Sequence, residues 1–264
     1  MESMNVKNEL LKKIKEKKEL KDISDSLIID KLDEFEKKKK ISLKNLSKRE
    51  EKIVVKEIRN GLRRLSGMFM ISYKKRKKYF KEGNIASLLI THSSSKERME
   101  FYPELRKRIE ELDIHSILDL GCGLNPLALA NEKITYYASD IKEDDLEIVR
   151  SFFKKNKIEG KVFSYDLENL DGNLPQADLC LIFKVLDIVS KNQWNITERI
   201  LEKTNCKYYM ISFAIKTLSG KYMKVQRRRW LENLLKKKNY EYSYFKTNNE
   251  IFYLVRKTVI QQID

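Results

Sequence analysis

Asp119, Gly121 and Gly123 stand in the stretch His115-Ser-Ile-Leu-Asp-Leu-Gly-Cys-Gly-Leu-Asn-Pro126, where a short apolar strand runs into a glycine-bearing turn headed by an acid. Open α/β sheets bind nucleotides at the carboxyl ends of their strands, and glycines let the backbone approach the ligand there. A carboxylate in that turn repels a pyrophosphate and suits a cationic group. The pocket therefore favours S-adenosylmethionine (SAM) over a dinucleotide, and methyl transfer over hydride transfer. Asp140, with Ile141 beside it, follows the turn at the spacing of about 20 residues at which an acid accepts hydrogen bonds from ribose hydroxyls. Asp166-Leu167 ends a further strand, where the acid can receive an adenine amino group and the leucine can lie against the ring; a helix N-cap is the other reading of Asp166.

The elements that must carry these residues follow from apolar periodicity. From about residue 114, strand-like and amphipathic segments alternate, with strands expected at 116–120, 134–141, 161–167, 177–185 and 207–215. Such alternation implies a parallel sheet covered by helices on both faces. A helix expected near 221–238 precedes two β-rich segments, 240–247 and 250–257, joined by the turn-forming Asn248-Asn249 into an antiparallel hairpin. The expected fold class is α/β, of the class I SAM-dependent methyltransferase (Rossmann-like) kind: a mainly parallel sheet with an antiparallel C-terminal hairpin, plus an N-terminal helical domain. The helical domain is expected over 1–95, where no proline occurs before residue 96 and Ile53, Val54, Ile58, Leu62 and Leu65 recur at helical spacing. The methyltransferase domain is expected over 96–264.

Charge indicates the partner. The 264 residues carry a formal net charge of +16, and residues 1–90 hold 26 Lys/Arg against 14 Asp/Glu. Segment 52–81 holds 11 against 1, and segment 221–238 holds 8 against 1. Charge concentrated in this way suits a polyanion. No apolar run approaches the roughly 18 residues that span a bilayer, so a cytoplasmic protein without a membrane partner is expected. Cys122, Cys180 and Cys206 lack C-x-x-C spacing, so they are expected to be reduced and structural, with no metal site.

Three separated blocks carry a family resemblance: His92-Ser-Ser-Ser-Lys-Glu-Arg98, Gly121-Cys-Gly-Leu-Asn-Pro-Leu-Ala-Leu129 and Leu181-Ile-Phe-Lys184. With Arg64-Leu-Ser-Gly67, Ser212-Phe213, Leu218, Gly220 and Trp230, the chain from about residue 50 onward resembles the aminoglycoside-resistance small-subunit (16S) ribosomal RNA methyltransferases, which methylate N7 of a guanine in the decoding site. Asn125-Pro126 replaces the third glycine of the common D-x-G-x-G-x-G turn. Ala214 stands where a proline is expected, and the glycine-rich loop after it is reduced to Ser219-Gly220-Lys221.

The resemblance implies that Arg98 pairs with the methionine carboxylate of SAM, through the two parallel bonds that guanidinium offers a carboxylate. His92 reads as a cap or packing residue. Lys184, with Phe183 before it, follows the fourth strand, where class I methyltransferases place residues beside the target base; a strand-end lysine in solvent is the other reading. Neither an Asn-Pro-Pro-Tyr sequence nor a Pro-Cys nucleophile is present. Guanine N7 already carries a lone pair, so alignment suffices and no proton need be removed. The RNA contacts expected are Arg63, Arg64, Lys74, Lys75, Arg76, Lys216, Lys221, Arg227, Arg228 and Arg229, with Tyr73, Tyr79 and Phe80 open to either base stacking or core packing. The expected partner is ribosomal RNA in an assembled small subunit, bound by a monomer, with aminoglycoside resistance as the consequence. Methylation of tRNA or another rRNA position, and a non-catalytic RNA-binding protein of the same fold, are the alternatives.

Overall fold

The computed structural model describes residues 2–66, 73–170, 172–189, 192–217 and 219–258. The chain divides into two compact units, Met1–Met70 with Ile141–Asp144, and Ile71–Asp140 with Asp145–Asp264.

The first unit is built from α1 (Glu2–Lys15), α2 (Asp25–Lys39) and α3 (Lys48–Ser66). Ser24 caps α2 by accepting from the Leu27 amide, which satisfies one of the amides a helix start leaves without a partner. The apolar stripes of the three helices meet in one cluster including Leu10, Ile14, Leu27, Leu32, Val54, Ile58 and Leu62. Ile53, expected to share that stripe, is instead exposed, because it lies a residue off the i, i+4, i+8 row of Val54, Ile58 and Leu62. The side chain of Leu65 lies outside the described residues.

The second unit opens with α4 (Tyr73–Glu82), α5 (Ile85–Leu89), α6 (Ser93–Arg98) and α7 (Tyr102–Glu110). The division thus falls 25 residues before the 95/96 boundary read from composition. The reason is apolar: Leu88 and Leu89, with Tyr79, Phe80 and Ile85 packed on them, belong to the core of the sheet. Tyr79 and Phe80 are half-buried and pack against that core, and the Tyr73 side chain lies outside the described residues.

Then follow β1 (Ser116–Leu120), α8 (Pro126–Leu129), β2 (Thr135–Asp140), α9 (Glu143–Asn156), β3 (Gly160–Ser164), β4 (Leu179–Phe183), α10 (Leu186–Val189), α11 (Gln193–Thr204), β5 (Tyr208–Ala214), α12 (Arg229–Lys237), β6 (Glu241–Lys246) and β7 (Glu250–Arg256). The strand order is β3-β2-β1-β4-β5-β7-β6, with β7 antiparallel to both of its neighbours and the other pairs parallel. All seven strands lie within two residues of their expected bounds, apart from the end of β3, which stops at Ser164. The central strand β4, Leu-Cys-Leu-Ile-Phe, is buried throughout, as a strand covered on both faces requires. The helix expected at 221–238 begins only at Arg229. Residues 216–217 and 219–228 instead form an irregular, hydrogen-bonded excursion. All three cysteines are buried and free. Among the described residues, no helix is long and apolar enough to cross a membrane.

Candidate active site

Parallel strands β1, β2, β4 and β5 all point their carboxyl ends to one edge of the sheet, which is where side chains at a strand end can converge on a ligand. Asp119 occupies the penultimate position of β1 and is fully buried. Its Oδ2 accepts from the Tyr136 hydroxyl of β2 at 2.8 Å, while Oδ1 has no hydrogen-bond partner of good geometry. Burial pushes the Asp119 carboxyl up to about 7, against the opposing pull of the Tyr136 hydroxyl and the Arg98 charge. A buried carboxylate with an open oxygen is costly by itself and becomes favourable when a cation is presented to it.

The turn that follows can be made only by glycine. Gly121 and Gly123 have φ of 68° and 50°, the left-handed region in which a Cβ is penalised. A Cβ on Gly121 would stand 2.6 Å from Val185 Cγ2, and one on Gly123 would stand 2.7 Å from His92 Nε2. The Gly123 amide donates to Asp140 Oδ2 at 2.9 Å, so the acid at the end of β2 already faces the glycine turn. Pro126 begins α8, where its missing N–H costs nothing. Asn125, standing in place of the third glycine, accepts from Arg98 Nη1 at 2.7 Å and from the Tyr102 hydroxyl at 2.9 Å. Its side chain thereby holds the arginine against the turn, which a glycine cannot do.

Arg98 is buried at the end of α6. His92 caps that helix by accepting from the Ser95 amide, in keeping with its reading as a cap. The Arg98 guanidinium donates to Glu250, Asn125 and Ser94. Burial disfavours its charge, but Glu250 more than compensates and the guanidinium stays protonated. Glu250, the first residue of β7, is the hub of the site: Arg98 Nε lies 2.8 Å from Oε1, Lys184 Nζ lies 3.2 Å from the same oxygen, and Ser212 Oγ donates to Oε2 at 2.8 Å. Sequence reasoning missed Glu250. The available signal was a single acid heading the apolar run Ile251-Phe-Tyr-Leu-Val255.

Lys184 directly follows β4, with φ of 57° in the left-handed region and its amide donating to the Ser212 carbonyl at 3.0 Å. Nearly all of its side chain is buried, and it also pairs with Glu97 of α6. Its reading as a lysine in solvent is therefore incorrect. Phe183, expected beside the substrate, is a core residue: its ring meets Phe252 edge-on at 5.4 Å and carries the Arg98 guanidinium 4.9 Å from its centroid. Asp166 accepts from the Glu168 amide at 2.9 Å, a local turn past the end of β3 rather than the cap of a helix. Leu167 is buried in the second core cluster, and Ile141 is half-buried against the cluster of the first unit.

The basic residues separate into exposed and structural. Lys75, Lys221 and Arg229 are exposed. Arg63 is partly exposed and pairs with Glu19 at 2.8 Å. Lys216 is half-buried, its ammonium 4.8 Å from the Tyr222 ring centroid. The side chains of Arg64 and Lys74 lie outside the described residues. Arg76 is a correction to the sequence reading: it is buried and bound to Asp145 and Thr91, because one face of α4 turns into the sheet's core. Arg228 is largely buried and bound to Asp187, while Arg227 is exposed and also pairs with Glu232.

The ribosomal RNA methyltransferase (FmrO) family model matches residues 81–254, most of the second unit. A 16S rRNA (guanine(1405)-N(7))-methyltransferase of Serratia marcescens is 29% identical over 182 residues, covering 66% of this chain and 71% of that protein. One from Proteus mirabilis is 30% identical over 142 residues, 51% of this chain and 50% of that protein. Another from Frankia casuarinae is matched over 64% of its length at 24% identity, so the alignable part spans less than two thirds of several of these relatives. Among solved structures, the 16S rRNA methylase RmtB superposes with a TM-score of 0.75 at 22% identity, covering 96% of this chain and 98% of that one. The 16S rRNA methylase ArmA is 28% identical, with a TM-score of 0.56 and coverage of 71% and 100%. The methyltransferase RmtF, in complex with S-adenosyl-L-homocysteine, gives 0.76 at 21% identity, covering 96% and 98%. Glycine turn, facing acids, strand order and family match agree: the chain belongs to the FmrO family of ribosomal RNA methyltransferases.

Proposed function

We propose that this protein transfers a methyl group from SAM to N7 of a guanine in the decoding site of 16S ribosomal RNA, acting on the assembled small subunit. The observation that carries the reading is the set of relatives named as 16S rRNA (guanine(1405)-N(7))-methyltransferases, matched over 51–66% of this chain. A methyl group and a positive charge at N7 remove a hydrogen-bond acceptor and repel a cationic drug, so aminoglycoside resistance follows.

The residues present fit the cofactor. The open Oδ1 of Asp119 offers a buried anion to a cationic ligand, and Gly121 and Gly123, both at positive φ, form the tight turn at the strand's carboxyl end. In this reading Asp140 accepts the ribose hydroxyls, and Asp166 receives the adenine amino group beside Leu167. Arg98 pairs with the methionine carboxylate in this reading. When bound, SAM supplies an electrophilic methyl group on its sulfonium. The chain's part is positional: Lys184, held by Glu97 and Glu250, orients the guanine, and the buried edge excludes water. Alignment of a lone pair with an electrophile at near-attack distance is worth several orders of magnitude without any proton transfer.

The test is to methylate purified small subunits with labelled SAM and map the product. A methyl on guanine N7 supports the proposal. A methyl on adenine, on an exocyclic amine, or only on tRNA defeats it.

A further inference from the structure

The segment after β5 carries six basic and no acidic residues between 216 and 229, yet its basic side chains do two different jobs. At the root, the Arg227 guanidinium forms a two-point pair with Glu232 at 2.8 and 2.6 Å and lies over the Tyr244 ring. Arg228 binds Asp187 and the Ala214 carbonyl, both at 3.0 Å, and covers the Phe213 ring. The Arg228 amide donates to the Tyr253 hydroxyl, which in turn donates to Glu232. Gln226 is held by Lys246 at 2.9 Å. These bonds clamp the end of the segment to the sheet.

Beyond the clamp the backbone folds back on itself. The Met223 amide donates to the Ile215 carbonyl, Lys216 and Tyr222 form an antiparallel bridge, and the Thr217 amide donates to the Lys221 carbonyl. Residues 216–217 and 219–225 thus form a short finger whose two arms are hydrogen-bonded to each other. It leaves the sheet from the carboxyl end of β5, the edge that also carries Asp119 and Lys184, and its clamp to Asp187 ties it to the stretch three residues past Lys184. On it stand Tyr222, 59% exposed, and Val225, 68% exposed, the two most exposed large apolar side chains among the described residues. They are interleaved with Lys216, Lys221 and Lys224, the last two exposed. An aromatic and an aliphatic tip held in water on a clamped root, between cations, is complementary to one kind of partner: stacked bases flanked by phosphates. Apolar wedges of this kind enter base steps, and aromatic rings stack on bases of any sequence.

Resting on the RNA methyltransferase reading, we propose that this finger enters the RNA helix as the target base leaves it. Tyr222 stacks in the position that the flipped guanine vacates, Val225 wedges beside it, and Lys216, Lys221 and Lys224 take the adjacent phosphates. Extruding a base costs stacking and pairing, and a ring that replaces it in the stack returns part of that cost. Tyr222 is thus a specificity and positioning residue, not a catalytic one.

The experiment compares wild type, Tyr222→Ala, Tyr222→Trp and Val225→Ser on intact small subunits with labelled SAM, alongside SAM affinity by calorimetry and thermal melting. Tyr222→Ala is expected to lower turnover by about 10- to 100-fold, the range that base–aromatic stacking represents, with SAM affinity and melting unchanged because the side chain is exposed. Tyr222→Trp is expected to recover to within about threefold of wild type, since a larger ring stacks as well. Tyr222→Ala turnover equal to wild type, or loss of activity that tryptophan does not restore, overturns the finger while leaving the enzyme's function standing. Absence of methyl transfer by wild type overturns both.

Discussion

Lys184 and Arg98, from two different elements, converge on one buried carboxylate: Glu250 Oε1 lies 3.2 Å from Lys184 Nζ and 2.8 Å from Arg98 Nε. Two cations and one central anion, with Glu97 completing the set beside Lys184, hold both proposed ligand-facing residues in fixed positions before any ligand arrives. Such preorganisation lets an active site act without reorganising during the reaction.

Breaking this cluster from one side strands a charge. Arg98→Met leaves Glu250 with Lys184 as its one cation, and the loss of a partner from a buried pair typically costs about 3–5 kcal/mol. Urea unfolding should show that loss, and Arg98→Met/Glu250→Gln together should cost less than the sum of the two single changes.

Asp119 gives the ligand-free protein a distinctive pH dependence. Its folded-state carboxyl is raised to about 7 by burial, so the folded state binds a proton more tightly than the unfolded chain. The stability it contributes is fully present below about pH 4 and is lost as pH rises through about 7, amounting to about 4 kcal/mol. Asp119→Asn should flatten that slope in melting curves. Because the ionised form suits a cationic ligand, the thermal stabilisation by SAM should grow from pH 6 to pH 8 in wild type and show no such growth in the variant.

Asp140→Ala removes the acceptor of the Gly123 amide at the edge of the turn. SAM affinity measured by calorimetry should fall by about 10- to 100-fold, the worth of a hydrogen bond to a charged group, while the far-UV spectrum stays native. A variant that fails to fold would reassign Asp140 to structure.

Lys184→Ala should reduce turnover far more than RNA affinity, since a nearly buried side chain paired to Glu97 and Glu250 adds little to electrostatic capture. Parallel determination of kcat and of RNA binding by filter retention checks this. Equal losses in both would remove its role in orienting the base.

Arg76 and Lys75 are adjacent and should behave oppositely. Arg76→Met destabilises by about 3 kcal/mol or more by stranding buried Asp145. Lys75→Ala, at an exposed position, leaves stability alone and lowers the salt dependence of RNA binding by about one phosphate contact.

The sequence by itself determined the sheet and the cofactor turn, because both are local. Strand periodicity is carried by consecutive residues such as Leu179–Phe183, and the need for glycine at 121 and 123 comes from backbone sterics within a few residues. Tertiary structure alone decided which charges act on a ligand and which serve the fold. Arg76 and Arg228 read as RNA contacts by type, yet their partners Asp145 and Asp187 lie 69 and 41 residues away in the chain. Glu250 stands 152 residues from Arg98, and no periodicity links the two. A charge is assigned by what desolvates and pairs it, and that is set by chain segments brought together only when the sheet closes over its helices.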